Sequence, residues 1–136
     1  MKAFKLLMAA IVLGSLAMGG ESFAGAPSNL TQSIAGGGVT AKVTYLNPKS
    51  GDEPRFQVVL DTHSVNLDAY DLRMIAELRD DSGKIYSPTA VENKGSGHHR
   101  ETFVSFPKPA PATKRIELVI KELAGMRERT FVWTLE

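Results

Sequence analysis

Hydrophobic and polar residues alternate with a period of two in seven short stretches of this chain. This alternation is typical of β-strands that have one buried and one exposed face. Turn-forming residues separate the stretches, which span residues 39–45, 56–60, 72–78, 84–86, 102–106, 116–120 and 131–135. No stretch sustains the 3.6-residue period of a helix, although residues 116–123 are ambiguous until their β-branched side chains are considered.

Strands of this length and spacing predict an all-β fold, an immunoglobulin-like antiparallel β-sandwich of about seven strands. A small closed barrel is the alternative architecture. Glycines at residues 36–38 predict a turn, and residues 80–83 predict a hairpin turn with Gly83 in the left-handed conformation. Residues 87–97 show little periodicity, so we expect a long irregular connection there.

The N-terminus has the layout of a secretory signal peptide. Lys2 and Lys5 precede an apolar run over residues 6–18, and Ser22 and Ala24 supply small residues before a cleavage point after Ala24. An uncleaved membrane anchor is the alternative, although the apolar run is short for a membrane span. The prediction is therefore a signal peptide over residues 1–24, a flexible leader over 25–38 and a β-sandwich domain over 39–136. After cleavage of the signal peptide, the protein is expected to be periplasmic or secreted.

Charge and cysteine content narrow the classes of partner. The chain has 16 basic and 15 acidic residues, of which two basic residues and one acidic residue lie in the predicted signal peptide. The remaining chain therefore has 14 basic and 14 acidic residues and no formal net charge. We therefore expect neither a nucleic-acid partner nor, after signal cleavage, a membrane partner. The chain contains no cysteine, which excludes disulfides and lipid attachment through a lipobox cysteine.

Two polar segments interrupt the strand pattern and contain all three histidines. His63 lies in the first segment, residues 60–68, and His98 and His99 lie in the second, residues 95–100. Imidazole is a common protein ligand for copper and zinc, so these residues predict a transition-metal site. Asp61 shares a strand face with His63 and is either a carboxylate ligand or the group that orients an imidazole.

The competing interpretation is a structural or protein-interaction module whose histidines only brace the loops. In that case Arg100 is expected to pair with Asp61 or Asp68. A weak calcium site built from the side-chain oxygens of Asp61, Asn66, Asp68 and Asp71 is a further alternative. We expect no enzymatic activity, because the chain has neither a cysteine nucleophile nor a nucleophile elbow.

Several motifs resemble those of a poorly characterised family of exported bacterial immunoglobulin-like β-sandwich domains. They are LDTHSV at residues 60–65 with LD at 67–68, LRDD at 78–81, GHHR at 97–100, ELVI at 117–120 and FVW at 131–133. The resemblance extends from about residue 39 to residue 135. It implies a β-sandwich fold and export, and it brings no established activity with it.

Overall fold

The computed structural model describes residues 30–135, which form nine β-strands and one short α-helix. The elements are β1 (Thr31–Gly36), β2 (Val39–Tyr45), β3 (Arg55–Thr62), α1 (Leu72–Ile75), β4 (Ala76–Asp80), β5 (Ile85–Tyr86), β6 (Ala90–Ser96), β7 (His99–Ser105), β8 (Arg115–Leu123) and β9 (Met126–Thr134). Within residues 30–135, no helix is long and apolar enough to cross a membrane. The predicted signal peptide, residues 1–24, lies outside the described residues and stays a prediction.

The strands form two antiparallel sheets, which confirms the predicted sandwich. One sheet has the order β1-β2-β3-β7-β6 and the other has the order β5-β4-β8-β9. Without β1 and β5, these orders are those of the ABED and CFG sheets of an immunoglobulin constant domain. The fold is therefore an immunoglobulin-like sandwich with two additional strands. β1 precedes the first strand of that pattern, and the short strand β5 follows β4.

Three segments differ from the sequence-based expectation. β1 pairs with β2 throughout, although it lies within the predicted flexible leader, residues 25–38. β6 pairs with β7 along its whole length, although residues 87–97 were expected to be irregular. Leu72–Ile75 is a helical turn instead of the first half of a strand, because the Asp71 side chain accepts a hydrogen bond from the Arg73 amide and starts the helix.

Aromatic rings fill the centre of the core between the two sheets. Phe56 of β3 lies 4.8 Å from the Tyr45 ring, 5.1 Å from the Trp133 ring and 5.9 Å from the Phe106 ring, measured between centroids. All four side chains are buried, and Trp133, between the two sheets, is only 4% exposed. Tilted and edge-on ring pairs at these distances stabilise the core beyond the area that they bury.

Arg129 of β9 connects β1 to the second sheet. Its guanidinium is buried and donates hydrogen bonds to four backbone carbonyls, those of Ile34 (3.3 Å), Gly36 (2.8 Å), Val39 (3.0 Å) and Leu123 (3.1 Å). These carbonyls belong to the β1–β2 hairpin and to the end of β8. A single side chain therefore fixes the first hairpin against the last one.

Candidate functional site

Four connections meet at one end of the sandwich, which we call the histidine end: Gly37-Gly38, residues 63–71, Gly97-His98 and Ala124-Gly125. The hydroxyl of Thr62 donates to the Gly38 carbonyl at 2.6 Å, and the Thr62 amide donates to the His98 carbonyl at 3.0 Å. A Cβ atom on Gly37 would clash with the Ala124 carbonyl, so these two turns are in direct contact. All three histidines lie at this end.

Short polar side chains fix the path of the connection between β3 and α1. The Thr62 hydroxyl accepts hydrogen bonds from the amides of Ser64 (3.2 Å) and Val65 (3.0 Å), which turns the chain after β3. The Asn66 side chain accepts from the Asp68 amide at 3.0 Å and starts a 3₁₀ turn, Leu67–Ala69, whose Leu67 is buried in the core. The connection is therefore an ordered structure anchored at both of its ends.

Arg100 joins this connection to β7. It is buried, and it donates from Nη2 to Asp68 Oδ1 and from Nη1 to the Tyr70 carbonyl, both at 2.8 Å. Asp68 Oδ1 also accepts from the Gly97 amide at 3.2 Å. The Gly97 hydrogen bond and then the Arg100 guanidinium lower the pKa of Asp68, so this carboxylate is ionised at neutral pH. The pairing of Arg100 with Asp68 is confirmed, and a carbonyl takes the second branch of the guanidinium.

The histidine side chains take no part in this brace. His63 and His98 are exposed, and within residues 30–135 their rings make no hydrogen bond or ion pair. His99 faces Asp61 directly across the β3–β7 ladder, and its Nδ1 is bonded to the Asp61 carboxylate. The two side chains are 66% and 54% exposed, so this pair lies on the outer face of the first sheet. Because a carboxylate without a proton only accepts hydrogen bonds, Nδ1 is the donor in this pair, and in a neutral imidazole with this tautomer the lone pair is on Nε2.

The predicted ligand residues come together only in part. In the described part of the chain, no three side chains of histidine, aspartate or glutamate form a group that could hold a metal ion. Asp61 and His99 are in contact, while His63 and His98 lie at the same end of the sandwich on separate connections. The metal site therefore stays a prediction.

Each side chain considered for calcium already uses one oxygen in another contact. Asn66 caps the 3₁₀ turn, Asp68 binds Arg100 and Gly97, Asp71 caps α1 and Asp61 binds His99. These side chains lie at two helix caps, at the Arg100 brace and on the outer face of the first sheet, so their oxygens do not surround one point where an ion could bind. The structure gives the calcium alternative no support.

Sequence reasoning overlooked Arg129 and the residues beside the Arg100 brace. Arg129 has the same parity as Phe131 and Trp133 in β9, and this parity already assigns its side chain to the core. Asn93 accepts a hydrogen bond from the Thr102 hydroxyl at 2.8 Å and lines a cleft together with Arg73. No such parity identifies Asn93 or Arg73, because β6 shows no alternation and the sequence did not predict α1.

Comparisons of this chain with protein-family models, with curated proteins and with solved structures find no match. The resemblance to the exported β-sandwich family thus stays a prediction that rests on the motifs alone.

Proposed function

We propose that this protein is an exported, non-enzymatic immunoglobulin-like binding module that holds a copper or zinc ion at its histidine end. The observation that carries the proposal is the exposed pair of His99 and Asp61. Histidines that bind metals characteristically donate their second N–H group to a carboxylate, which fixes the tautomer and the direction of the ring. The Asp61 carboxylate gives His99 this arrangement and leaves Nε2 as the ligand atom.

The division of roles at this end supports a binding role for the histidines. The hydrogen bonds that hold the connections together come from Thr62, Asp68 and Arg100. Imidazoles that braced the loops would be buried among these bonds, whereas His63 and His98 are exposed. The exposed imidazoles are thus available to an external ligand, and removing them leaves the brace intact.

The chemistry of the available ligands favours copper and zinc. Imidazole nitrogen suits both ions, and no cysteine is present to bind softer ions more strongly. His99 is the central ligand of the proposed site, one of the other two histidines, His63 or His98, is the second protein ligand, and water fills the remaining positions. An open site of this kind is compatible with binding and exchange of the ion.

The test is a set of thermal melts with and without Cu(II) and Zn(II). For the wild type, an ion present at one hundred times its Kd raises the free energy of unfolding by about 2.7 kcal/mol. His99→Ala should abolish the shift while melting normally without metal, since an exposed pair contributes little to stability. Asp61→Asn should weaken metal affinity by about 10–100-fold. Asp52→Asn, an exposed carboxylate in the β2–β3 connection, is the matched control.

The pH dependence of binding is a second criterion. Metal affinity should fall below about pH 6, because an imidazole must lose its proton before it coordinates an ion. A wild type whose melting temperature responds to neither ion would exclude the metal site. A shift that persists in His99→Ala would exclude His99 as the central ligand.

A protein-interaction module is the second candidate function. It is favoured by the convergence of four connections at the histidine end, since antibody variable domains bind through loops gathered at one end of the same sandwich. This candidate predicts that Cu(II) and Zn(II) have no effect on the melts. It also predicts that His63→Ala and His98→Ala reduce binding to a purified partner while Asp52→Asn does not, with melting temperatures unchanged in all three.

A further inference from the structure

A polar cleft of about 360 Å³ lies beside the Arg100 brace, between the segment that leads into α1 and the edge strand β6. Its volume falls at the lower end of the range found for small-molecule sites. The charged and polar side chains that define it are those of Asp68, Tyr70, Asp71, Arg73, Asn93 and Arg100. The cleft is separate from the Asp61–His99 pair, which lies on the outer face of the sheet.

Hydrogen-bond donors in the cleft are only partly used. Arg100 has five N–H groups, and within the described residues it makes one hydrogen bond from each terminal nitrogen, so each of these nitrogens keeps one N–H group in reserve. Asn93 accepts from Thr102 through Oδ1, and its amide nitrogen makes no hydrogen bond in the same part of the chain. These donors, together with the exposed Arg73, suit a carboxylate ligand.

Negative charge is present in the same cleft. Asp68 is ionised, since its hydrogen bonds lower its pKa, and Asp71 uses one carboxylate oxygen to cap α1. Neither Asp71 nor Arg73 forms an ion pair with any residue between 30 and 135. A simple anion would be repelled by two carboxylates, and a simple cation by two guanidinium groups. A small molecule that carries both charges is complementary to the whole cleft.

We propose that this cleft binds a small zwitterion of the α-amino acid type. The carboxylate of the ligand lies against Arg73, the reserve N–H groups of Arg100 and the Asn93 amide. The ammonium group lies against Asp71 and the free oxygen of Asp68. Asn93 and the two arginines select the carboxylate, and the two aspartates select the ammonium group. This site does not depend on the metal proposal, because it shares no ligand residue with it.

The experiment is an NMR titration of the isotope-labelled protein with each of the twenty free α-amino acids. At least one should produce saturable shifts of the backbone amides of Tyr70, Asn93 and Gly97. Its N-acetyl derivative lacks the ammonium group and its C-terminal amide lacks the carboxylate, so each should bind at least tenfold more weakly. A panel without a saturable response, or equal binding of the derivatives, would overturn the proposal.

Substitutions of two exposed cleft residues, Arg73 and Asn93, test whether these side chains bind the ligand. Arg73→Gln and Asn93→Ala should each weaken binding of the selected amino acid at least fivefold. Arg127→Gln removes an exposed guanidinium from β9, outside the cleft, and should bind like the wild type. The amide spectra of all three should show a folded sandwich. Binding that is unchanged in both cleft variants, or reduced equally in Arg127→Gln, would show that general charge effects and not the cleft cause the response.

Discussion

Replacing Arg129 by methionine should destabilise this protein strongly and locally. Arg129 is 1% exposed, and in residues 30–135 its guanidinium contacts four carbonyls and no carboxylate. Burial lowers its pKa, which shows that the charged form is held at a cost in desolvation. Methionine has a similar length and no polar group, so Arg129→Met removes the donors without opening a large cavity.

The magnitude follows from the bonds that are lost. A buried acceptor that loses its donor costs about 1–3 kcal/mol. Of the four bonds that are lost, those to Val39 and Leu123 are buried, and those to Ile34 and Gly36 are partly buried. Part of this loss is offset, because the cost of burying the charge disappears as well. We therefore expect the free energy of unfolding to fall by about 2–4 kcal/mol, a large fraction of the typical stability of a small domain.

Urea unfolding monitored by Trp133 fluorescence measures this loss, and Arg127→Met, at an exposed position of β9, is the matched control. The control should change the free energy of unfolding by less than about 0.5 kcal/mol. Hydrogen exchange adds a local criterion: β1 amides should exchange faster in Arg129→Met than in the control, relative to amides of β3. Equal stability of Arg129→Met and Arg127→Met would contradict a stabilising role of the four carbonyl contacts at the first hairpin.

Three further predictions concern the core, the response to acid and the N-terminus. Trp133→Ala should lower the free energy of unfolding by about 3–5 kcal/mol, and wild-type emission resembling that of free indole would contradict its burial. Hydrogen bonds from Ser82 and Tyr86 lower the pKa of Asp80 from 3.8 to about 2, so its stabilising effect is present above pH 3.8 and is lost as the pH falls towards 2. The difference in stability between wild type and Asp80→Asn should therefore shrink over that interval, as measured by urea unfolding, and a constant difference would argue against it. Mass spectrometry of protein from the native host should find a chain beginning at or near Gly25, and an intact N-terminus would exclude cleavage.

The two strands that sequence reasoning missed are both edge strands of the same sheet. In β6, Glu92, Asn93 and Lys94 are all exposed, so polar residues occupy consecutive positions and no alternation is visible. In β1, partly buried residues alternate with exposed ones, but most of them are small or polar. Alternation of hydrophobic and polar residues arises when one face of a strand is buried. A strand at a sheet edge that is stabilised mainly by backbone hydrogen bonds does not need this alternation. The central strands β3 and β8 show it and were predicted, and so was β9, an edge strand of the second sheet whose Arg129, Phe131 and Trp133 are buried.

The residues of the histidine end were identified from the sequence, but their roles were not. The interruptions of the strand pattern indicate which segments are rich in polar side chains. The contacts of each side chain depend on the register between β3 and β7, which the interruptions do not specify. That register sets Leu60 opposite Arg100 and Asp61 opposite His99. Because Leu60 belongs to the core, Arg100 is turned inward and becomes the brace, and His99 is turned outward. A single sequence contains no direct information on the register of strands that are distant along the chain.

The same alternation separates the two proposed binding sites. His99 and Arg100 are neighbours in β7, yet one side chain lies on the outer face of the sheet and the other lines the cleft between β6 and the segment leading to α1. A substitution of His99 therefore removes the proposed metal ligand without changing a group in the cleft, and Arg73→Gln changes the cleft without altering the Asp61–His99 pair. Because each site has its own residues, its own probe and its own control, failure of one proposal leaves the other fully testable. The Arg100 brace is the one element that both depend on, since it fixes the connection that contributes to each site.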